Sequence, residues 1–282
     1  MDWLLEPFTD GDLHRALYAG ILAAISLAII GTWIVIRGMT FLGDALAHAV
    51  IPGIALALLF SFNPIVGAAI AAAVMIGGIN FVHRQTTFSE DTGIGLLFVG
   101  MLAVGVILAT SAGADPEDLQ AILFGDVEAV SGGDIAFLGG AGLLTVAATV
   151  LLYRNFLVLT FNEQKAALFG LRPHVTHALL LTLLTLAIIG SFQTIGTLLV
   201  FGLLVGPPAT AALVVRRVPA MMITAALIGS FSVLAGLIIS YHGEVSGSAT
   251  MAVIPIVLFF LVLTVKSLTQ ARGRKAEQGL AV

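Results

Sequence analysis

Residues 40–60 read TFLGDALAHAVIPGIALALLF, and this stretch decides what class of protein the chain is. Its apolar composition and its length match an α-helix that crosses the hydrocarbon core of a bilayer, which takes about 20 residues. Two ionisable residues, Asp44 and His48, interrupt it four positions apart. A charged side chain at that depth costs roughly 2.5 to 3.5 kcal/mol on insertion scales. The stretch therefore predicts a membrane helix that carries a functional polar pair.

The spacing of Asp44 and His48 indicates what the pair can do. Four residues turn about 40° around a helix, so both side chains are expected on one face, one turn apart. Carboxylate oxygens and imidazole nitrogens are ligands for divalent transition metals. The chain has no cysteine, so a metal would have to use His, Asp, Glu or backbone oxygen. We predict a metal site on a transport path, and a proton relay in a secondary transporter or channel is the alternative.

Composition supports a membrane protein along the whole chain. Hydrophobic residues make up 59% of the sequence, charged residues only 10%, and mean hydropathy is +1.10. Soluble domains carry about 25% charged residues. Apolar segments occur at about 16–36, 41–60, 64–82, 93–112, 135–153, 176–192, 195–215, 219–240 and 249–265. We predict an all-α, polytopic transmembrane bundle of nine helices in one domain over residues 1–282. The count is eight if residues 190–196 do not separate the sixth and seventh.

The basic residues predict the orientation of the chain. With the N-terminus outside and nine alternating helices, every lysine and arginine except Arg15 lies on the cytoplasmic side, as the positive-inside rule requires. These residues are Arg37, Arg84, Arg154, Lys165, Arg172, Arg216, Arg217, Lys266, Arg272, Arg274 and Lys275. We therefore expect a multi-pass protein with an outer N-terminus and a cytoplasmic tail over about 266–282.

A cytoplasmic connection at about 154–174, RNFLVLTFNEQKAALFGLRPH, is the second stretch of interest. Residues 163–169 can form a short helix that Gly170 ends, with Pro173 just beyond it. An apolar patch on this helix would suit a groove on a soluble protein. The patch consists of Ala166, Ala167, Leu168 and Phe169. On pattern alone, a plain interfacial loop is the alternative.

The third stretch is residues 202–212, GLLVGPPATAA. Gly206, Pro207 and Pro208 are expected to interrupt an otherwise long apolar helix there. Broken backbone at membrane depth is tolerated where it is buried in protein or lines a cavity, so we expect this segment to border the path. A simple structural kink is the alternative.

The chain carries no machinery for ATP hydrolysis or nucleophilic catalysis. No GxxxxGK[ST] phosphate loop is present, so energy must come from a partner or from an ion gradient. No nucleophile has a base and an orienting group in a plausible arrangement. We expect a transport protein rather than an enzyme, without a covalently bound cofactor and without a nucleic-acid partner.

Two motifs resemble a known family. Residues 43–55, GDALAHAVIPGIA, and residues 197–210, TLLVFGLLVGPPAT, are similar to the zinc and manganese family of bacterial ABC importer permeases. The resemblance covers about residues 14–266, and the turn at 166–170 looks like the family's coupling loop. It implies a type II ABC importer-like permease in the bacterial cytoplasmic membrane. The expected assembly is a homodimer with two cytoplasmic ATPase subunits that bind ATP and an extracytoplasmic metal-binding protein.

The resemblance also implies roles for particular residues. The family's intramembrane metal ligands correspond to Asp44 and His48, and its ATPase contact corresponds to the segment from Glu163 to Leu171. Two copies of the pair would meet on one Zn²⁺ or Mn²⁺ ion during alternating access, and histidine gives zinc a slight preference. The alternatives are a gradient-driven metal transporter and an ABC permease for iron chelates or cobalamin. Such bulky cargo gives no reason for a paired Asp and His.

Overall fold

The computed structural model describes residues 11–86, 90–111, 130–161, 172–243 and 245–280, and the regular secondary structure in these ranges is helical. Their helices are α1 Gly11–Ile36, α2 Thr40–Ala49, α3 Ile51–Leu59, α4 Pro64–Gln85, α5 Glu90–Ser111, α6 Gly132–Leu151, α7 Tyr153–Phe161, α8 Pro173–Val214, α9 Val218–Gly243 and α10 Gly247–Leu280.

Nine segments within these ranges are long and apolar enough to cross a membrane. Helices α2 and α3 together make one of them, Thr40–Leu59, and α8 supplies two, Pro173–Phe192 and Thr194–Val214. The predicted fold class, an all-α polytopic bundle, is confirmed, and the described ranges contain the nine spans that hydropathy indicated.

The spans form an inner and an outer layer. In α1, α2–α3 and both halves of α8, more than 60% of the residues of each span are buried, and Thr40–Leu59 reaches 72%. The spans of α5 and α10 are only 22% buried, and their outward side chains are apolar. Helix α1 lies between α6, α8 and α9, while α2 packs against α5 and α8. The helix that carries Asp44 and His48 therefore belongs to the inner layer.

The boundary inside α8 lies at Gly196. Its φ of 75° and ψ of 161° leave helical space, and the backbone on both sides returns to helix. A positive φ of this kind favours glycine because a Cβ would clash with the backbone. The sequence placed its least certain boundary within residues 190–196, and the break falls at the last of these.

The prediction that Gly206, Pro207 and Pro208 interrupt a helix is wrong. Helix α8 continues through all three residues, which are buried inside the subunit. The two prolines remove the N–H donors for the carbonyls of residues 203 and 204. At this point α1 approaches closely, since Gly31 packs against the Leu204 carbonyl. That these residues border a path stays a prediction.

The contact between Gly31 and Leu204 yields a test of how the inner layer is held together. A Cβ on Gly31 would overlap the Leu204 carbonyl oxygen. We expect Gly31→Ala to push α1 away from α8 and to lower the free energy of unfolding by about 1–3 kcal/mol, measured by thermal unfolding in detergent.

Gly140→Ala in α6 is the matched control, because a Cβ there meets no atom within 4 Å. It should leave stability unchanged or raise it by up to about 1 kcal/mol, since alanine is the better helix former. Equal effects of the two substitutions would mean that the close approach at Gly31 does not hold the layer together.

Candidate metal centre

The backbone around the pair is discontinuous. Helix α2 ends at Ala49, and α3 begins at Ile51 with Pro52 in its first turn. Pro52 has no N–H to donate to the carbonyl of His48, four residues earlier, and the N–H of Val50 points to that carbonyl instead. Val50 keeps a right-handed helical conformation, with φ −75° and ψ −20°. The hydrogen-bond ladder is therefore interrupted directly after His48, within the single span Thr40–Leu59.

Asp44 and His48 lie together, as their spacing predicts. The Nδ1 atom of His48 is 3.4 Å from Oδ1 of Asp44 and 3.1 Å from the Asp44 backbone carbonyl oxygen. The side chains are 22% exposed for His48 and 27% for Asp44. The carbonyl and the carboxylate of Asp44 thus both face Nδ1 and leave the far side of the imidazole, with Nε2, for another contact.

The pair occupies an opening in an otherwise buried span. Between residues 42 and 57, the residues that are not buried are Asp44, His48 and Leu56. The opposite side of the helix is closely packed, since a Cβ on Gly43 would overlap the side chain of Leu204. The ionisable groups therefore lie on the one face of this helix that the subunit itself leaves uncovered.

Two aromatic rings border this opening. Phe98 of α5 stands edge-on to His48, with ring centroids 5.7 Å apart and an interplanar angle of 87°. Phe41, which is 40% exposed, packs against Phe98 in the same way at 5.5 Å. Sequence reasoning did not select either residue, because a phenylalanine in an apolar span carries no distinguishing pattern. Pro52, in contrast, is recognisable in the sequence, since a proline inside a span indicates an interruption of the helix.

One subunit offers few side chains that could bind a metal ion at this site. In the part of the chain that the structure describes, no group of three or more His, Cys, Asp or Glu side chains could hold a metal ion. Structural and catalytic metal sites use three or four protein ligands. Asp44 and His48 are suited to a divalent metal by chemistry, but they supply too few ligands for a closed site within one subunit.

The segment expected to contact an ATPase lies outside the described residues. It comprises Glu163, Ala166, Ala167, Leu168, Phe169, Gly170 and Leu171. Its boundaries are described: α7 ends at Phe161 and α8 begins at Pro173. On the first turns of α8, His177 Nδ1 accepts a hydrogen bond of 3.2 Å from Nη2 of Arg37. Because Arg37 lies in the turn that precedes α2, this contact joins the start of α8 to the helix that carries the pair.

Known proteins resemble the chain over most of its length. The family model of the ABC 3 transport family matches residues 10–266. The manganese transport system membrane protein MntC of Halalkalibacterium halodurans is 36% identical over 249 residues, which cover 88% of this chain and 85% of that protein. A probable iron transport system membrane protein of Haemophilus influenzae is 31% identical, with 93% and 96% covered.

A solved structure has the same architecture. The structure of PsaBC from Streptococcus pneumoniae in complex with Fab superposes with a TM-score of 0.83 at 28% identity. The match covers 93% of this chain and 94% of that one. The family match, the relatives and the nine spans agree: the chain belongs to the ABC 3 transport family and is the multi-pass membrane permease of an ABC importer for metal ions.

Proposed function

We propose that this permease forms a homodimer in which two copies of Asp44 and His48 converge on one transported ion. The observation that carries the proposal is the position of the pair on the only open face of a buried helix. An ionisable pair facing lipid would be costly, so a polar partner has to cover it. A two-fold axis beside this face would bring four oxygen and nitrogen ligands together.

We propose Mn²⁺ as the cargo, with Zn²⁺ as the second candidate. Relatives are named for manganese transport, and the carboxylate and imidazole ligands accept manganese when waters complete its coordination. The preference for zinc that histidine alone suggested carries less weight than these names. A site built from one Asp44 and His48 pair of each subunit also suits transport, because the ion must leave again when the two pairs separate.

The energy source in this proposal is a pair of ATPase subunits on the cytoplasmic side, and an extracytoplasmic binding protein delivers the ion. The basic residues support an outer N-terminus and a cytoplasmic C-terminus. Conformational changes of the ATPase would enter through residues 163–171. The contact between Arg37 and His177 gives them a direct route to the turn before α2.

The proposal is tested by metal uptake into proteoliposomes that contain the permease, its ATPase and its binding protein. We expect Mn²⁺ uptake to require ATP and the ATPase, Zn²⁺ to compete, and chelated iron to be excluded. Uptake driven by a pH gradient without the ATPase would instead identify a secondary transporter. Uptake of an iron chelate at the rate of Mn²⁺ would contradict the role given to the pair.

A further inference from the structure

An apolar groove lies on the outer surface of the subunit, away from Asp44 and His48. It has a volume of about 400 Å³ and runs between α1, α6 and α9. Its lining includes Ile25, Ile29, Val150, Pro219, Ala226 and Ser230. The two helices α1 and α9 that line it are packed together, since Met221 and Ala225 are buried in one cluster with Ala28. The groove is therefore a shaped feature of the bundle.

The dimensions of the groove fit a single hydrocarbon chain. The lining residues of α9 extend from Pro219 to Ser230, which is about 16 Å at 1.5 Å per residue. One leaflet of the hydrocarbon core is about 15 Å thick. Val150, Ile223 and Leu227 on its rim are all more than 60% exposed, so the groove opens sideways to the membrane.

Cationic side chains lie at one end of the groove. Arg216 and Arg217 are both exposed in the turn between α8 and α9. The carbonyl of Arg217 accepts the N–H of Met221, so Arg217 adjoins the first turn of α9, two residues before the first groove residue of that helix, Pro219. Exposed Arg154 follows the groove residue Val150 across the short junction of α6 and α7. No described carboxylate forms an ion pair with these three arginines.

One carbonyl at the end of α8 is already occupied by another cation. Lys266 of α10 donates from Nζ to the carbonyl oxygen of Leu213 at 2.6 Å. Guanidinium groups match phosphate geometry with paired donors. The groove is as long as one leaflet is thick and ends at exposed arginines. It therefore matches the acyl chain and the phosphate of a phospholipid with net negative charge.

We propose that this groove is a binding site for one anionic phospholipid. An acyl chain lies along α9 between α1 and α6, and Arg216 and Arg217 bind the phosphate, with Arg154 adding to the positive field. A lipid held in this way contacts three helices at once, including α1, which also supports α8 at Gly31. The site is separate from the metal path and does not depend on the identity of the cargo.

The test counts lipids on the purified full-length permease by native mass spectrometry after equilibration with phosphatidylglycerol or phosphatidylcholine. Wild type should retain phosphatidylglycerol in preference to phosphatidylcholine. Each basic side chain near a membrane surface contributes about fivefold to the binding of anionic lipid, so Arg216→Gln with Arg217→Gln should lower retention on the order of twentyfold. Ala226→Phe, which fills the groove without altering charge, should also displace the lipid.

Two controls alter the same properties elsewhere. Arg172→Gln removes an exposed arginine outside the groove, and Val253→Phe enlarges an exposed side chain on α10. Both should retain phosphatidylglycerol at the wild-type level. Undiminished retention by the double arginine variant, or equal retention of phosphatidylcholine by wild type, would overturn the proposal and indicate ordinary annular lipid. The comparison of phosphatidylglycerol with phosphatidylcholine on the wild-type permease tests the proposal even if Ala226→Phe folds poorly.

Discussion

Asp44→Asn and His48→Ala are each expected to abolish ATP-driven metal uptake, with a loss on the order of 100-fold or more. Removal of the carboxylate takes away the negative charge that offsets a dication, and removal of the imidazole takes away a nitrogen ligand. Changes in groups that merely orient metal ligands already cost 10- to 100-fold, so loss of a ligand should cost at least as much. The measurement is initial-rate uptake of Mn²⁺ into proteoliposomes, normalised to inserted permease.

Asp134→Asn is the matched control for Asp44→Asn. Asp134 lies in the first turn of α6, where its carboxylate accepts hydrogen bonds from Ser131, and asparagine can keep an acceptor there. Uptake should therefore survive. A permease with Asp44→Asn that transports at the control rate would remove the pair from the mechanism.

A dimer fused in tandem, with the substitution in only one copy, tests the shared site. If two copies build one site, a single altered copy should reduce uptake nearly as much as two, because the remaining Asp44 and His48 supply only half of the ligands. Half of the wild-type rate would instead show that each subunit moves ions by itself.

Leu168→Asp and Ala167→Asp are expected to uncouple the permease from its ATPase. If residues 163–171 enter a groove on that subunit, each substitution buries an unpaired carboxylate at the interface, which costs several kcal/mol. Metal uptake should be lost and the ATPase should co-purify poorly, whereas metal binding by the isolated permease should persist. Pull-down of the ATPase with the permease measures the effect.

Gln278→Asp in the tail introduces the same charge on the proposed cytoplasmic side and should leave association intact. The chain has no native cysteine, so one introduced at residue 278 should be protected from an impermeant reagent on intact cells, and one near Asp10 should react. Full ATPase binding by both Leu168→Asp and Ala167→Asp would show that residues 163–171 are not the contact with the ATPase. The reverse labelling pattern would place the loop on the wrong side for any such contact.

The two failures are distinguishable. If the proposal holds, loss of Asp44 or His48 should leave the ATPase bound but the ion without ligands, whereas a charged loop should leave the ligands intact but the ATPase absent. The lipid site offers a third readout, because neither its groove nor its arginines include Asp44, His48 or any residue of 163–171.

The sequence by itself determined the spans and the relation between Asp44 and His48. Apolar runs of bilayer length are local, so hydropathy placed all nine spans that the described ranges contain, and helical periodicity placed the carboxylate beside the imidazole. Even the weak boundary between the sixth and seventh spans was bracketed, because the polar residues Ser191, Gln193 and Thr194 are a local feature, and the break lies just beyond them at Gly196.

Only the tertiary structure decided which of these residues are exposed and which pack against neighbouring helices. Gly206–Pro208 has the composition of a break, but α8 stays helical there and packs closely against Gly31, which is far away in sequence. The aromatic border from Phe98, and the exposure of the Asp44 and His48 face alone on a buried helix, likewise depend on packing between helices. Such contacts leave no local pattern, because they arise from pairs of surfaces that meet only in the folded bundle.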